Sequence, residues 1–164
     1  WGGDVSQIGE FRNKGLLILK EEVEAATTNL ILGTDDGSYG TEALVTDLLK
    51  GQIEAGAKYD RVIAIGPVIM MKFVCQLTKE YNIPTVVSMN PIMIDGTGMC
   101  GGCRLTVGGE VQFACVDGPD FDGHQADFDE VTARNAPYRD FETEAREDQL
   151  CRRGGGAHTA KSPN

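Results

Sequence analysis

Three cysteines and an aspartate stand in "DGTGMCGGCRLTVGGEVQFAC", residues 95 to 115, at the intervals D-x4-C-x2-C-x11-C. Thiolates are soft donors and a carboxylate is a hard one. Asp95, Cys100, Cys103 and Cys115 therefore make a donor set for an iron or zinc centre. The glycines at 96, 98, 101 and 102 leave the loop backbone uncovered. Backbone N–H groups can then approach a metal-bound sulfur with no side chain in the way.

The spacing parallels the plant-type [2Fe–2S] pattern C-x4-C-x2-C…C, with Asp95 where the first cysteine would stand. A structural zinc site of three cysteines and a carboxylate is the alternative, and three unligated cysteines are another. The glycine-rich x4 loop favours the cluster, because zinc knuckles seldom need one. The chain has five cysteines, an odd number, with three of them inside residues 100 to 115. Clustered thiols without a secretory signal speak for metal binding in a reducing compartment rather than for a disulfide framework.

The elements that must position these donors come next. "CRLTVGGEVQFAC" reads as a β-hairpin around Gly108 and Gly109. A two-residue Gly-Gly loop opposes Val107 to Glu110 and Leu105 to Gln112, which mixes the faces. A three-residue loop, Gly108 to Glu110 with a bulge, opposes Val107 to Val111, Leu105 to Phe113 and Cys103 to Cys115. The second keeps the apolar residues together and is the expected register. It sets the two cysteines with Cβ atoms roughly 5 Å apart.

Upstream, "DVSQI" (4 to 8) suggests a short strand. In "NKGLLILKEEVEAATT" the residues Leu16, Leu19, Val23 and Ala26 form a helical stripe, with Asn13 as N-cap. "NLILG" (29 to 33), "RVIAIGP" (61 to 67) and "IPTVVSM" (83 to 89) read as buried strands. "TEALVTDLLKGQIEAGA" (41 to 57) and "VIMMKFVCQLTKEYN" (68 to 82) read as the helices between them. Alternating strands and helices with apolar strands imply an α/β fold with a parallel sheet covered on both faces. Ligands on such sheets sit at the carboxyl ends of the strands. Those ends carry "TDDGSYG" (34 to 40) and Gly66-Pro67, which are expected to open onto one cleft. After Asn90 the texture changes. The expected organisation is a partial nucleotide-binding α/β domain over 1–92, a metal-binding module over 93–128, a C-terminal helical segment over 129–153, largely helical after Pro137, and a disordered tail over 154–164.

Bulk composition bounds the function. Twenty-five acids against 15 bases give a net charge of −10. That argues against a nucleic-acid surface. No apolar run approaches a membrane span. The chain begins at Trp1 and reads as part of a longer protein.

"NPIMIDGTGMCGGCRLTVGGEVQFACVDGPDFDGHQADFDE" closely resembles the cluster-binding module of a group of flavoproteins. The group comprises the electron-transfer subunit of dihydroorotate dehydrogenase and, more closely, the small (alpha) subunit of NADH-dependent ferredoxin:NADP oxidoreductase, also labelled a sulfide dehydrogenase subunit. "TDDGSYG" and "GPVIMM" resemble the NAD-binding half of the same group, and the resemblance runs from about residue 12 to about residue 151. It implies a cytoplasmic, NAD(P)H-dependent oxidoreductase subunit of the ferredoxin-NADP reductase type. Electrons would pass between NAD(P)H, FAD and a [2Fe–2S] cluster to a larger flavin/iron–sulfur partner resembling the glutamate synthase small chain. The ferredoxin:NADP branch holds its cluster by one aspartate and three cysteines and the dihydroorotate branch by four cysteines, so Asp95 points to the former. The x4 offset and the resemblance pair Asp95 with Cys100 on one iron, while the expected hairpin register, which opposes Cys103 to Cys115, gives those two the other. The alternative is that Asp95 caps the loop by accepting backbone N–H bonds. The group's FAD-binding barrel is absent, as are its first strand and glycine-rich pyrophosphate loop, so the chain alone should bind FAD poorly and be inactive.

Nucleotide contact is expected at Thr34, Asp35, Asp36, Gly37, Ser38 and Gly40, through backbone N–H groups and the Thr34 and Ser38 hydroxyls, and at Gly66 and Pro67. Asp35 and Asp36 would repel a phosphate, so they set loop shape or meet the nicotinamide side. Met70, Met71 and Phe73 read as core. Arg12 reads as a surface group, Cys75 as a small buried hydrophobe, Cys151 as a free thiol, and His124 as a satisfied loop histidine. No residue is assigned a catalytic role.

Overall fold

A computed structural model describes residues 3 to 154, with the side chains of 150 to 154 excepted. Beyond Gly154, which closes the last helix, the expected tail lies outside the described residues, as does His158. The strands are β1 (Ser6–Phe11), β2 (Asn29–Thr34), β3 (Val62–Ile65), β4 (Thr85–Ser88), β5 (Arg104–Val107), β6 (Glu110–Phe113) and β7 (Asp120–Asp122). The helices are α1 (Lys20–Ala26), α2 (Val45–Glu54), α3 (Val68–Glu80), α4 (Phe128–Asn135) and α5 (Arg139–Gly154).

The fold is mixed α/β, with small parallel and antiparallel sheets. The apolar runs form β2, β3 and β4 where their composition places them, but they do not share one sheet. β1 pairs in parallel with β2, and β3 pairs in parallel with β4. No ladder joins β1 or β2 to β3 among the described residues. α2 leaves β2 and packs over β1 as well as β2 before the chain reaches β3. One edge of β1 and one edge of β3 are left without partners. On β3, Ala64 is buried while Ile63 and Ile65 are 64% and 71% exposed, so only one face is covered.

The helical stripe expected from Leu16 to Ala26 is broken. A 3-10 turn spans Lys14–Leu16, Leu19 takes a left-handed φ of 53°, and α1 starts only at Lys20. Helices this short are held by burial of an apolar face. Here Leu16, Ile18 and Leu19 face solvent, so nothing holds the longer helix. Asn13 stands at the head of the 3-10 turn but makes no side-chain cap bond.

β7 joins the two halves. It pairs antiparallel with β4, Val86 with Asp122 and Ser88 with Asp120. One core then spans Met71, Val74, Cys75 and Val87 on one side and Leu105, Val107, Phe121 and Phe128 on the other. Met71 is fully buried as expected, whereas Phe73 points to solvent and is not core. α4 docks by an ion pair, Asp129 to Lys72 Nζ at 2.6 Å. Its start is capped by Asp127, whose Oδ1 accepts from Glu130 N. The expected helix after Pro137 is α5, but the chain is already helical from Phe128.

Gly123 is the tightest point of this junction. Its N–H donates to Thr85 O at 2.8 Å, and a Cβ there would stand 2.4 Å from Cys75 Sγ and 2.9 Å from Val87 Cγ1. Gly123→Ala should destabilise the chain by about 1–3 kcal/mol in urea titrations, the usual cost of overpacking a core. Gly51→Ala, mid-helix with open space around its Cβ position, should instead stabilise it by about 0.5–1 kcal/mol.

Candidate iron–sulfur site

The hairpin forms, in the register that the sequence reading set aside. Val107 pairs with Glu110, Leu105 with Gln112 and Arg104 with Phe113, around a two-residue Gly108-Gly109 turn. Both glycines have left-handed φ, 61° and 85°, as a type I′ turn requires, and that turn matches the twist of the strands. Burying a Val side chain is worth about 1.5–3 kcal/mol, which was the case for the other register. But β6 is an outer strand, and Val111 sits largely in solvent. The core takes Leu105 and Val107 from β5 alone, so facing uniformity on β6 counts for little.

Cys103 and Cys115 meet by another route. Cys103 O accepts from Ala114 N at 3.2 Å, so Ala114 is the residue opposite Cys103. A tight turn follows, with Val116 N and Asp117 N both donating to Phe113 O and Asp117 Oδ2 accepting from Phe113 N. The turn brings the Cys115 thiol back into hydrogen-bond contact with Cys103. That contact and partial burial push the Cys115 thiol up, while the Gly98 N–H, donating to Cys115 sulfur, works against them.

Asp95 lies beside Cys100. Its Oδ1 accepts from Thr97 N and its Oδ2 from Cys100 N, each at 2.9 Å. The Thr97 N–H, then the Cys100 thiol and N–H, hold the Asp95 carboxyl below the usual carboxylate range. The Gly102 N–H donates to Cys100 Sγ at 3.3 Å. The four donors thus stand as two pairs, Asp95 with Cys100 and Cys103 with Cys115. Among the described residues no three acidic, cysteine or histidine side chains converge on one point fit for a single ion. Exposure is graded: Cys103 is 2% exposed, Cys115 half-buried and Cys100 open to solvent. Gly96, Gly98 and Gly101 all take left-handed φ, between 64° and 82°. An N–H directed at sulfur, left-handed glycines and three thiols with a carboxylate fit a small iron–sulfide cluster.

Three side chains that the spacing did not single out brace this loop. Arg104 Nη1 and Arg134 Nη2 each donate to Gly101 O at 3.3 Å, and Arg134 Nη2 also reaches Gly102 O at 3.4 Å. Glu130 Oε2 accepts from Thr106 N at 2.8 Å. The signal for α4 was present as Asp127-x-x-Glu130, an N-cap pattern; nothing in sequence marks the two arginines. Cys75 is buried, its thiol pushed up to about 11 by desolvation and the nearby Asp122 charge, and it plays no part in the loop. The Cys151 side chain lies outside the described ones. His124 Nε2 sits 3.1 Å from Thr78 Oγ1, a satisfied histidine.

The loop after β2 is closed on itself. Thr34 is 1% exposed, and its hydroxyl donates to Tyr39 O at 2.8 Å and accepts from Tyr39 N at 3.0 Å. Ser38 Oγ donates to Asp36 and accepts from Lys14 N. The hydroxyl and N–H of Ser38 in turn hold Asp36 low. Both expected hydroxyl contacts are therefore spent inside the loop, and Asp36 shapes it. Gly40 has φ 69°, and a Cβ there would stand 2.1 Å from Leu32 O. Asp35 and Gly37 are exposed. Gly66 O accepts weakly from Asn90 Nδ2 at 3.5 Å, and Pro67 heads α3. One described concavity is lined by Tyr39 and Gly40 and another by Lys72 and His124; neither reaches Gly66.

Glu10 was also missed. Its carboxyl accepts from Val45 N at the start of α2. Burial first, then Asp35 and Asp47, raise its pKa, while the Val45 N–H lowers it. A raised acid pKa costs the folded state stability as pH climbs past the unfolded value near 4.3. Glu10→Gln keeps an acceptor for Val45 and removes the charge. It should melt at or above wild type, with a gap that is absent at pH 4 and opens between pH 5 and 7.

Residues 90–127 match the iron–sulfur cluster binding domain of dihydroorotate dehydrogenase B. The chain is 55% identical over 149 residues to an "uncharacterized protein in adh 3′region" of Clostridium beijerinckii, covering 90% of this chain and 49% of that protein. It is 45% identical over 141 residues to the dihydroorotate dehydrogenase B (NAD(+)) electron transfer subunit homolog of Thermotoga maritima, covering 86% and 49%. A solved chain from the structure of the NADH-dependent reduced ferredoxin-NADP oxidoreductase, described for flavin-based electron bifurcation, superposes with a TM-score of 0.79 at 42% identity, covering 91% of this chain and 53% of that one. The resemblance drawn from residues 12 to 151 is borne out. The chain spans about half the length of the relatives it matches. No described helix is long and apolar enough to cross a membrane.

Proposed function

We propose that this chain is the cluster-bearing part of an oxidoreductase's electron-transfer subunit, and that Asp95, Cys100, Cys103 and Cys115 hold a [2Fe–2S] cluster. The observation that carries it is the grouping of the donors into two pairs, Asp95 with Cys100 and Cys103 with Cys115, under a loop whose Gly102 N–H donates to Cys100 Sγ at 3.3 Å. Two pairs suit two irons, where a zinc tetrahedron would ask four donors to meet at one point. Such a cluster supplies reversible one-electron storage. The chain's part is to fix the ligands, shield Cys103 and leave the Cys100 side open for exchange. In this reading residues 93–128 are the cluster module, 1–92 the partial NAD(P)-binding domain and 129–153 the helical segment that braces the loop.

Asp95 separates two branches of the resemblance. An aspartate at the first ligand position supports the ferredoxin:NADP type, with a larger flavin/iron–sulfur partner resembling the glutamate synthase small chain. The names of the matched family and of the Thermotoga relative keep the dihydroorotate type as the second reading. The backbone bonds that Asp95 now makes do not oppose its role as a ligand, because a carboxylate has lone pairs for both. For NAD(P)H, the exposed Asp35 and Gly37 and the Gly66-Pro67 turn remain the contact points, although the Asp35 and Gly37 N–H groups already donate to Phe11 O and Thr34 O. Carboxylates there suit the nicotinamide side better than a phosphate. FAD belongs to the half of the relatives that this chain does not span.

The test is anaerobic reconstitution with ferrous iron and sulfide. The chain should turn red-brown and hold iron and sulfide in equal amounts. Asp95→Ala should lose most of the visible absorption, and Asp95→Cys should keep it with altered bands. An alanine variant with unchanged spectrum and iron content would leave Asp95 as a loop cap only. A colourless chain that takes one zinc would replace the cluster with the zinc reading.

A further inference from the structure

The peptide between Gly101 and Gly102 is held from both ends. Its carbonyl oxygen accepts from Arg104 Nη1 and Arg134 Nη2 at 3.3 Å each, and its N–H donates to Cys100 Sγ at 3.3 Å. In a trans peptide the C=O and N–H point in opposite directions. A group that grips the oxygen therefore aims the N–H. Glycine at both positions leaves this peptide free to rotate, since Gly101 sits at φ 64° with no close atom against it. Something outside the loop has to choose its orientation.

Arg134 is placed to do so. It stands in the last turn of α4, and its Nη2 spans Gly101 O and Gly102 O. α4 is itself fixed at Asp127, at Asp129 with Lys72 and at Glu130 with Thr106. Arg134 is half-buried, and no carboxylate among the described residues forms an ion pair with it. Its charge is permanent and is spent on loop carbonyls alone. Both effects, an N–H directed at sulfur and a fixed positive charge nearby, favour the more negative, reduced state of a sulfur-ligated centre.

We infer that Arg134 is a positioning residue that aims the Gly102 N–H at the Cys100 sulfur and thereby raises the reduction potential of the centre held there. The inference rests on the cluster reading. Arg104 contributes in the same sense through the one carbonyl it shares.

The full chain, reconstituted with ferrous iron and sulfide, tests it in two steps. Iron and sulfide content of the wild type judges the cluster reading. The oxidised-to-reduced ratio at a fixed poise, set at the wild-type midpoint, judges Arg134. Arg134→Met should keep full iron and sulfide and raise that ratio about tenfold, equivalent to 59 mV for a one-electron centre. Arg134→Lys keeps the charge but loses the fork and should fall between. Arg104→Met should move the ratio the same way by less. An Arg134→Met protein with full content and an unchanged ratio would overturn the inference. Should that variant or the wild type fail to hold the cluster, amide exchange in the metal-free chain decides. Faster exchange at Gly102 in Arg134→Met, with global stability unchanged, supports the hold on this peptide; identical exchange refutes it.

Discussion

A peptide N–H has to face a sulfur atom across little more than 3 Å, and most of the C-terminal half follows from that demand. Side chains cannot occupy the space between, so the loop from Asp95 to Cys103 is built on glycines, three of them at left-handed φ. Within the loop only Asp95, which ties down Thr97 and Cys100, holds its shape, and Arg104 and Arg134 grip the carbonyl side from outside it. The loop is soft in sequence and fixed in place by its neighbours.

That arrangement explains why the cluster module and the α/β part share a core. α4 can brace the loop only if α4 is itself anchored. The anchor is α3, through Lys72 to Asp129, and the packing of Phe128 and Val131 into the same cluster as Met71 and Val74. β7 adds a strand to β4 and brings the Gly123 turn down onto Cys75. By contrast the β1–β2 pair is tied in chiefly through α2. Among the described residues no ladder joins that pair to β3, whose outer face is bare.

The sequence made some of this legible and hid the rest for identifiable reasons. β2, β3, β4 and α3 could be read because their apolar runs are bounded by glycine, proline or turn residues, although Ile63, Ile65 and Phe73 on them face solvent. The grouping of Asp95, Cys100, Cys103 and Cys115 in one stretch could be read because thiol spacing is a chemical pattern, independent of tertiary context. The hairpin register could not: face uniformity seemed decisive, but β6 is solvent-lapped, and the twist preference of a Gly-Gly turn prevailed. Leu16 to Ala26 misled because a helical stripe needs a core to meet, and Leu16 and Leu19 have none. The Thr34 and Ser38 hydroxyls looked free because their partners, Tyr39 and Asp36, sit in the same short loop. Arg104 and Arg134 carry no local signal, and the reach of Arg134 to carbonyls 33 and 32 residues away is visible only once the fold brings them together.

In the proposed arrangement the four donors serve two irons unequally, one with the Asp95 oxygen and the Cys100 sulfur, the other with two sulfurs from Cys103 and Cys115. Mössbauer spectroscopy of the chain reconstituted with 57Fe measures this directly, since an oxygen ligand changes the isomer shift and quadrupole splitting of the iron that carries it. In the oxidised state unequal ligation gives two doublets of equal area with distinct parameters, merging toward one in Asp95→Cys. A single symmetric doublet in the wild type, unchanged in that variant, would contradict it.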